Sequence, residues 1–321
     1  MSNPEAVVRQ GSSLHYCLLW TDPAAKTRFV QRLALINAMA TTLDDVQEHQ
    51  VAEKKIHWWH EEIQRLHDGI ARHPATRQSQ VDLQGLDGAQ LACLEIVSVA
   101  STQRFTAADT HATAEAELIR SFKARLSLLA HALSESVSDL DSDTHLHGVA
   151  LAFGLYDQLA RLPALIHRGL PVFSDELYQQ FQIRPQTLAE HIRVAESAQS
   201  DNQPDIASVT PAQKATISPT LKSIPIVTDK SASEKSGSEN RGRQQLLAHA
   251  INHCHDALTS AMNDAQCVQR YRSDAMLPLW RLLVLRKYQL DLWQKQQPDL
   301  LRERTTLTPL VKLYRAWQHR K

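Results

Sequence analysis

Apolar residues recur at three- and four-residue intervals along most of the chain, the spacing that gives a helix one buried face. Phe29, Leu33, Ile36 and then Met39 or Ala40 form such a stripe within a helix expected over 23–48. It starts at Thr21-Asp22-Pro23, with proline in the first turn. Ile56, Trp59, Ile63 and Leu66 form the stripe of a second helix over 50–70, from which Glu61, Glu62 and Arg65 are expected to face away. His73-Pro74 opens the next segment, and amphipathic helices follow over 86–103 and 112–134. Residues 145–167 read as one apolar helix bent at Pro163, and Leu177 to Ile183 as a short one. Helices resume over 244–268, 275–295 and 308–319, the last after Thr308-Pro309. Residues 12–20 read as a short apolar helix or hairpin arm, and Ser138 to Asp143 as an acidic loop.

One stretch breaks this pattern. Residues 196–243 are rich in Ser, Asp, Gln, Lys, Thr and Pro and lack aromatic residues, the composition of a disordered insertion. The expected architecture is therefore all-α, with 1–195 and 244–321 forming one helical domain around the insert.

Composition narrows the function. The chain has 321 residues, with 35 basic and 35 acidic side chains, a balance that argues against a dedicated nucleic-acid binder. Nine glycines, with neither GxGxxG nor GxxxxGK[ST], remove the commonest nucleotide-cradling loops. The four cysteines have no CxxC spacing, so a zinc ribbon or a thioredoxin-type pair is not expected. With no run of 18 apolar residues and no signal-peptide pattern, the expectation is a reduced cytoplasmic protein without a transmembrane segment.

The chemistry concentrates at Leu43-Asp44-Asp45-Val46-Gln47-Glu48, three carboxylates at the end of an apolar helix. On a continuous helix Asp44 and Glu48 share a face, with roughly 5–6 Å between Cβ atoms. Carboxylates so placed are solvated, paired, or hold a metal. By itself the stretch reads as a solvated helix terminus.

Three segments in order, Asp44-Asp45 with Glu48, Lys55-Ile56-His57-Trp58-Trp59-His60-Glu61-Glu62 and His73-Pro74-Ala75-Thr76-Arg77, resemble the squalene/phytoene synthase family. Arg168-Gly169 with Asp175-Glu176-Leu177, and the terminal Leu307 to Leu313, fit its second half. The resemblance covers nearly everything outside 196–243. It implies a single isoprenoid-synthase-type bundle around a central cavity, and head-to-head joining of two isoprenyl diphosphates. It also implies Mg²⁺ held by carboxylates on both cavity walls, because Mg²⁺ takes oxygen ligands and stabilises the leaving diphosphate. Asp44 and Glu48 would be the metal ligands of the first wall, and Trp59 and Phe153 would line the cavity. For Trp59 a place in the core, with Trp58 at its flank, is the simpler reading.

The sequence departs from the family where the metal should sit. Glu48 stands in place of the second aspartate, and Thr41 and Asn37 replace an arginine and an aromatic residue. Counting back from Arg168-Gly169, the second motif reads Asp157 for asparagine and Ala160 for arginine, with Arg161 and Leu165 at its two metal-binding aspartates. Between Asp157 and Asp175 there is no acidic residue. Arg161 could neutralise Asp44 and Glu48 as Mg²⁺ does elsewhere, with Asp157 joining the network; or it could contact phosphate directly.

The remaining clusters are weaker. His60-Glu61-Glu62-Ile63-Gln64 falls one histidine short of a zinc-protease HExxH. His249 and His253 are spaced to share a metal, but with no third ligand at a recognised spacing an exposed or satisfied helix face is simpler. The basic end, Arg315 to Lys321 with Trp317, could touch anionic headgroups or simply complement its helix dipole. Three functions stay open. One is a non-catalytic family member that binds an isoprenoid, another lipid or a protein partner, like an assembly-factor branch of the family, with peripheral membrane contact. Another is an active Mg²⁺-dependent prenyltransferase. The last is a helical scaffold whose insert is the interaction segment.

Overall fold

A computed structural model describes residues 8–105, 108–133, 145–192, 230–301 and 306–320. Among them every regular element is a helix. In order these are α1 (Ser13–Cys17), α2 (Pro23–Ala40), α3 (His49–His67), α4 (Pro74–Leu83), α5 (Asp87–Phe105), α6 (His111–Leu133), α7 (His145–Ala160), α8 (Leu162–His167) and α9 (Asp175–Gln180). They continue with α10 (185–192), α11 (Lys230–Asn263), α12 (Ala265–Tyr271), α13 (Leu277–Gln296) and α14 (Pro309–Gln318).

α7 is the apolar centre of the bundle, packed between α6 and α11. Val149, Ala150, Ala152, Phe153 and Leu159 are all buried. Gly154 lets α6 approach closely: a Cβ there would lie 3.1 Å from that of Leu118. α6 carries α2 and α5, α3 lies on α5 and α4, and α13 joins α11 to α1 and α14. A single cluster of buried side chains runs from Cys17 on α1 to Leu307 before α14. At roughly 1.5–3 kcal/mol per fully buried large aliphatic or aromatic side chain, this cluster dominates the favourable side of folding.

The helix starts obey local chemistry. Asp22 Oδ1 accepts from the amides of Ala24 and Ala25 ahead of Pro23. His73 Nδ1 accepts from Ala75 at the start of α4, and Thr308 Oγ1 caps α14 before Pro309.

Several boundaries differ from the sequence expectation. α2 ends at Ala40, not at Glu48, because Leu43 and Val46 turn inward to pack with Ala52 and Ile56. The expected helix over 145–167 is two helices, since Pro163 at the start of α8 disfavours helical backbone just before it. The 244–268 helix likewise splits at Asp264, whose Oδ1 caps α12. α11 begins at Lys230, so 230–243 of the expected insertion is helical, and Arg243 is buried and paired with Asp299 at 3.3 Å. The remainder of that insertion, 196–229, and the acidic loop 138–143 lie outside the described residues.

Buried charge is placed with care. Arg281 donates to the carbonyls of Cys17, His319 and Arg320, tying α1 and the end of α14 to α13. All four cysteines are buried and unpaired by disulfides, on α1, α5, α11 and α12. Burial pushes the thiols of Cys17, Cys93 and Cys254 up to about 12.

Candidate functional site

The acidic stretch is a turn held from three sides. From α3, Lys55 Nζ donates to the carbonyl of Thr42 at 3.2 Å and Trp59 Nε1 to Thr42 Oγ1 at 2.8 Å. From α5, Arg104 Nε donates to the carbonyl of Val46 at 2.7 Å and its Nη1 to that of Arg168 at 3.2 Å. From the α7–α8 junction, Arg161 Nη2 reaches Asp44 Oδ2 at 3.4 Å, while Nη1 reaches Asp157 Oδ2 one turn earlier at 3.4 Å. Arg168 Nη1 donates to the same Asp44 oxygen, and its Nε approaches Asp45 Oδ1 at 3.6 Å.

Of the partners expected for Arg161, Asp44 and Asp157 are met. Arg168, which served in the sequence only to mark the register, is the other partner. It lies seven residues after Arg161, a spacing that sequence reasoning could have used. Glu48 is not part of this group: it is exposed at the start of α3 and makes no capping bond. The α2 turn removes the shared helix face expected for Asp44 and Glu48.

Burial pushes the Asp44 carboxyl above its ordinary value, Arg161 and Arg168 pull it back part of the way, and Asp45 adds to the rise. Both arginines are about a third exposed, so each pair contributes at most about 1 kcal/mol. The cluster neutralises the turn more than it stabilises the fold. Mg²⁺ takes oxygen ligands, usually one or two carboxylates with phosphate and water. Here the wall facing Asp44 presents two guanidiniums with Asp157, a donor set that does not fit the metal pair expected at Asp44 and Glu48.

Beside this cluster the bundle holds two spaces with lining residues in common. The first, about 110 Å³, is lined by Asp44, Asp157 and Arg161 with Phe122, Leu118 and Arg125. The second, about 250 Å³, shares Phe122, Arg125 and Asp157 and is walled by Phe29, Leu33, Ile36, Leu129 and Phe153, with Arg286 at its side. Phe153 lines this second space. Trp59 does not line these spaces. It is buried beside His73, ring centroids 5.1 Å apart, and borders an open groove with Trp58, Lys54 and Lys55.

Two arginines missed in the sequence line the second space. The Arg286 guanidinium lies 3.9 Å from the Phe153 centroid and 4.7 Å from that of Tyr156; Arg125 lies 4.4 Å from Phe122. Among the described residues neither Nε has a hydrogen-bond partner. Burial lowers both guanidinium pKa values, and Asp157 counters this in each. An arginine in a helix stripe looks like surface to sequence reasoning, and nothing local reveals that these two point inward.

Glu62 is the clearest reversal. It is fully buried, not facing away. Its Oε1 accepts from the amides of Arg72 and His73, each at 2.7 Å, and from Thr76 Oγ1 at 2.5 Å; Arg65 Nη1 approaches Oε2 at 3.3 Å. Desolvation raises its pKa, but these donors outweigh it and the net shift is downward.

One outlying feature lies on the last helix. On α14, Leu310, Leu313, Tyr314 and Trp317 form an exposed apolar row, with Arg320 4.3 Å from the Trp317 centroid. Among the described residues no helix is long and apolar enough to cross a membrane. No family model matches the chain, and no curated protein matches it either.

Proposed function

We propose that this protein is a squalene/phytoene synthase-like binder that keeps a helical bundle with an internal cavity and holds an anionic isoprenoid or similar lipid without ionising a diphosphate. The observation that carries this reading is the pair Arg125 and Arg286. Two cationic side chains, each with an Nε–H that lacks a partner among the described residues while Arg286 Nη1 donates to the Phe153 carbonyl, flank an apolar cavity whose other charged wall residue is Asp157. Apolar walls suit a prenyl or acyl chain, and guanidinium forks suit a phosphate or carboxylate head. The arginine neutralisation of Asp44 supports the non-catalytic half of the reading, since it supplies from within the protein the positive charge that Mg²⁺ brings in a synthase.

The test is a thermal-shift titration with farnesyl or geranylgeranyl diphosphate, with farnesol and inorganic pyrophosphate as controls, each with and without Mg²⁺. A ligand that binds only the folded state raises the midpoint, by about 2.7 kcal/mol of stability at 100 times Kd. The prenyl diphosphate is expected to raise the midpoint equally with and without Mg²⁺, and Arg125→Met and Arg286→Met to reduce the rise. No rise with the amphiphile refutes binding. Release of pyrophosphate in the presence of Mg²⁺ refutes the non-catalytic assignment and restores the prenyltransferase.

A further inference from the structure

We propose that His111, Glu115 and His253 form a binding site for one transition-metal ion of the zinc class, on the side of the bundle where α6 meets α11. The sequence offers two separate four-residue pairs, His111 with Glu115 and His249 with His253, each able to face one way from a helix turn. The fold sets the two pairs against each other across 138 residues of chain.

The donor atoms converge. One nitrogen from each histidine and one oxygen of Glu115 all lie within 4.8 Å of one another. Glu115 Oε1 is 3.2 Å from His111 Nε2 and 2.5 Å from His253 Nε2. In a tetrahedral zinc site with bonds near 2.0–2.1 Å, neighbouring ligand atoms stand about 3.3 Å apart. The first distance already matches, and the second needs a side-chain adjustment of under about 1 Å. The His249 ring lies one turn before His253, parallel to it within 6° at 6.3 Å.

The three ligands sit on long helices, and the start of α6 is further fixed by the His111 amide donating to Glu176 Oε2 at 2.8 Å. Two imidazoles and one carboxylate select zinc-class ions over Mg²⁺ or Ca²⁺, which prefer oxygen. The donors are also partly enclosed. Their side chains are 25–30% exposed, against 47–76% for the surface pair His57 and Glu61 on α3. A surface His–Glu pair lacks the third ligand that α11 brings here.

The experiment uses the full chain after removal of metal with a chelator. Zn²⁺ is titrated by calorimetry and by thermal shift, and Co²⁺ is added to read the intense visible absorption of tetrahedral coordination. One equivalent of Zn²⁺ is expected to bind and raise the midpoint, with no rise from Mg²⁺. His111→Asn and His253→Asn, checked for folding by circular dichroism, are expected to lose about tenfold or more in affinity, and His57→Asn to lose none. The assignment is overturned if Zn²⁺ does not bind, if affinity is unchanged in both site variants, or if His57→Asn weakens it equally. None of these readouts involves prenyl ligand, so the outcome is independent of the cavity reading.

Discussion

Glu62 sets the sharpest energetic expectation. Glu62→Ala removes a buried carboxylate and leaves two backbone amides and the Thr76 hydroxyl without their acceptor. Each buried donor left unsatisfied costs about 1–3 kcal/mol, and water entering the vacated volume recovers part of that. Removing the carboxylate also removes its own desolvation cost. The net loss is about 3–5 kcal/mol, the range found when a buried charge network is broken from one side. Glu62→Gln keeps an oxygen for the same three donors and loses the charge and the Arg65 contact. It should cost about 1–2 kcal/mol, since bonds to a charged acceptor are roughly twice as strong as neutral ones. At about 2 °C per kcal/mol for a chain of this size, the midpoint should fall by about 6–10 °C for alanine and about 2–4 °C for glutamine. The sign with pH follows from the depressed carboxyl. Its contribution is present above the unfolded-state pKa and is lost as pH falls through the folded one. The advantage of the native residue over Glu62→Gln should therefore shrink below about pH 4. Differential scanning fluorimetry from pH 3.5 to 7.5 reads both effects. Equal losses for the two variants, or an alanine loss under about 1 kcal/mol, would refute the view that the donors depend on this oxygen.

Two further expectations concern other parts of the bundle. Arg32 is fully buried, donating to the carbonyl of Ser79 at 3.2 Å and to Asp82 at 3.1 Å. Asp82→Ala should therefore destabilise more than Arg32→Met, because it leaves the buried charge behind; the reverse order in urea denaturation would refute this. The apolar row on α14 should make the protein sediment with anionic vesicles, and Leu310→Asp with Trp317→Asp should abolish this, whereas binding that survives the pair would place the contact elsewhere.

Helix existence was legible because its causes are local. Asp22-Pro23 and Thr308-Pro309 are starts that carry their own hydrogen-bond acceptors, and the stripes Phe29–Leu33–Ile36 and Trp59–Ile63–Leu66 name their buried faces. The Arg161–Asp44 meeting was expected only through the resemblance, which sets residue 161 opposite residue 44; the structure shows the pair at 3.4 Å. What failed was decided by tertiary arrival. Glu62 is adjacent to a buried stripe, and only the return of residues 72–76 turns it from an outward charge into an anchor. Asp44 and Glu48 look like one helix face until Leu43 and Val46 are pulled inward. His253 lies beside His111 and Glu115 only through the packing of the bundle, which no spacing in the sequence shows.

The four cysteines carry a practical consequence. With thiols pushed to about 12 at Cys17, Cys93 and Cys254, the thiolate fraction at pH 7 is about one part in 10⁵. Alkylating reagents meet these sulfurs only when the surrounding helices open. Each of these three cysteines then acts as a clock for its own region, α1, α5 or α11. Labelling rates resolved by mass spectrometry would reveal whether the bundle opens as one unit or sheds α1 first.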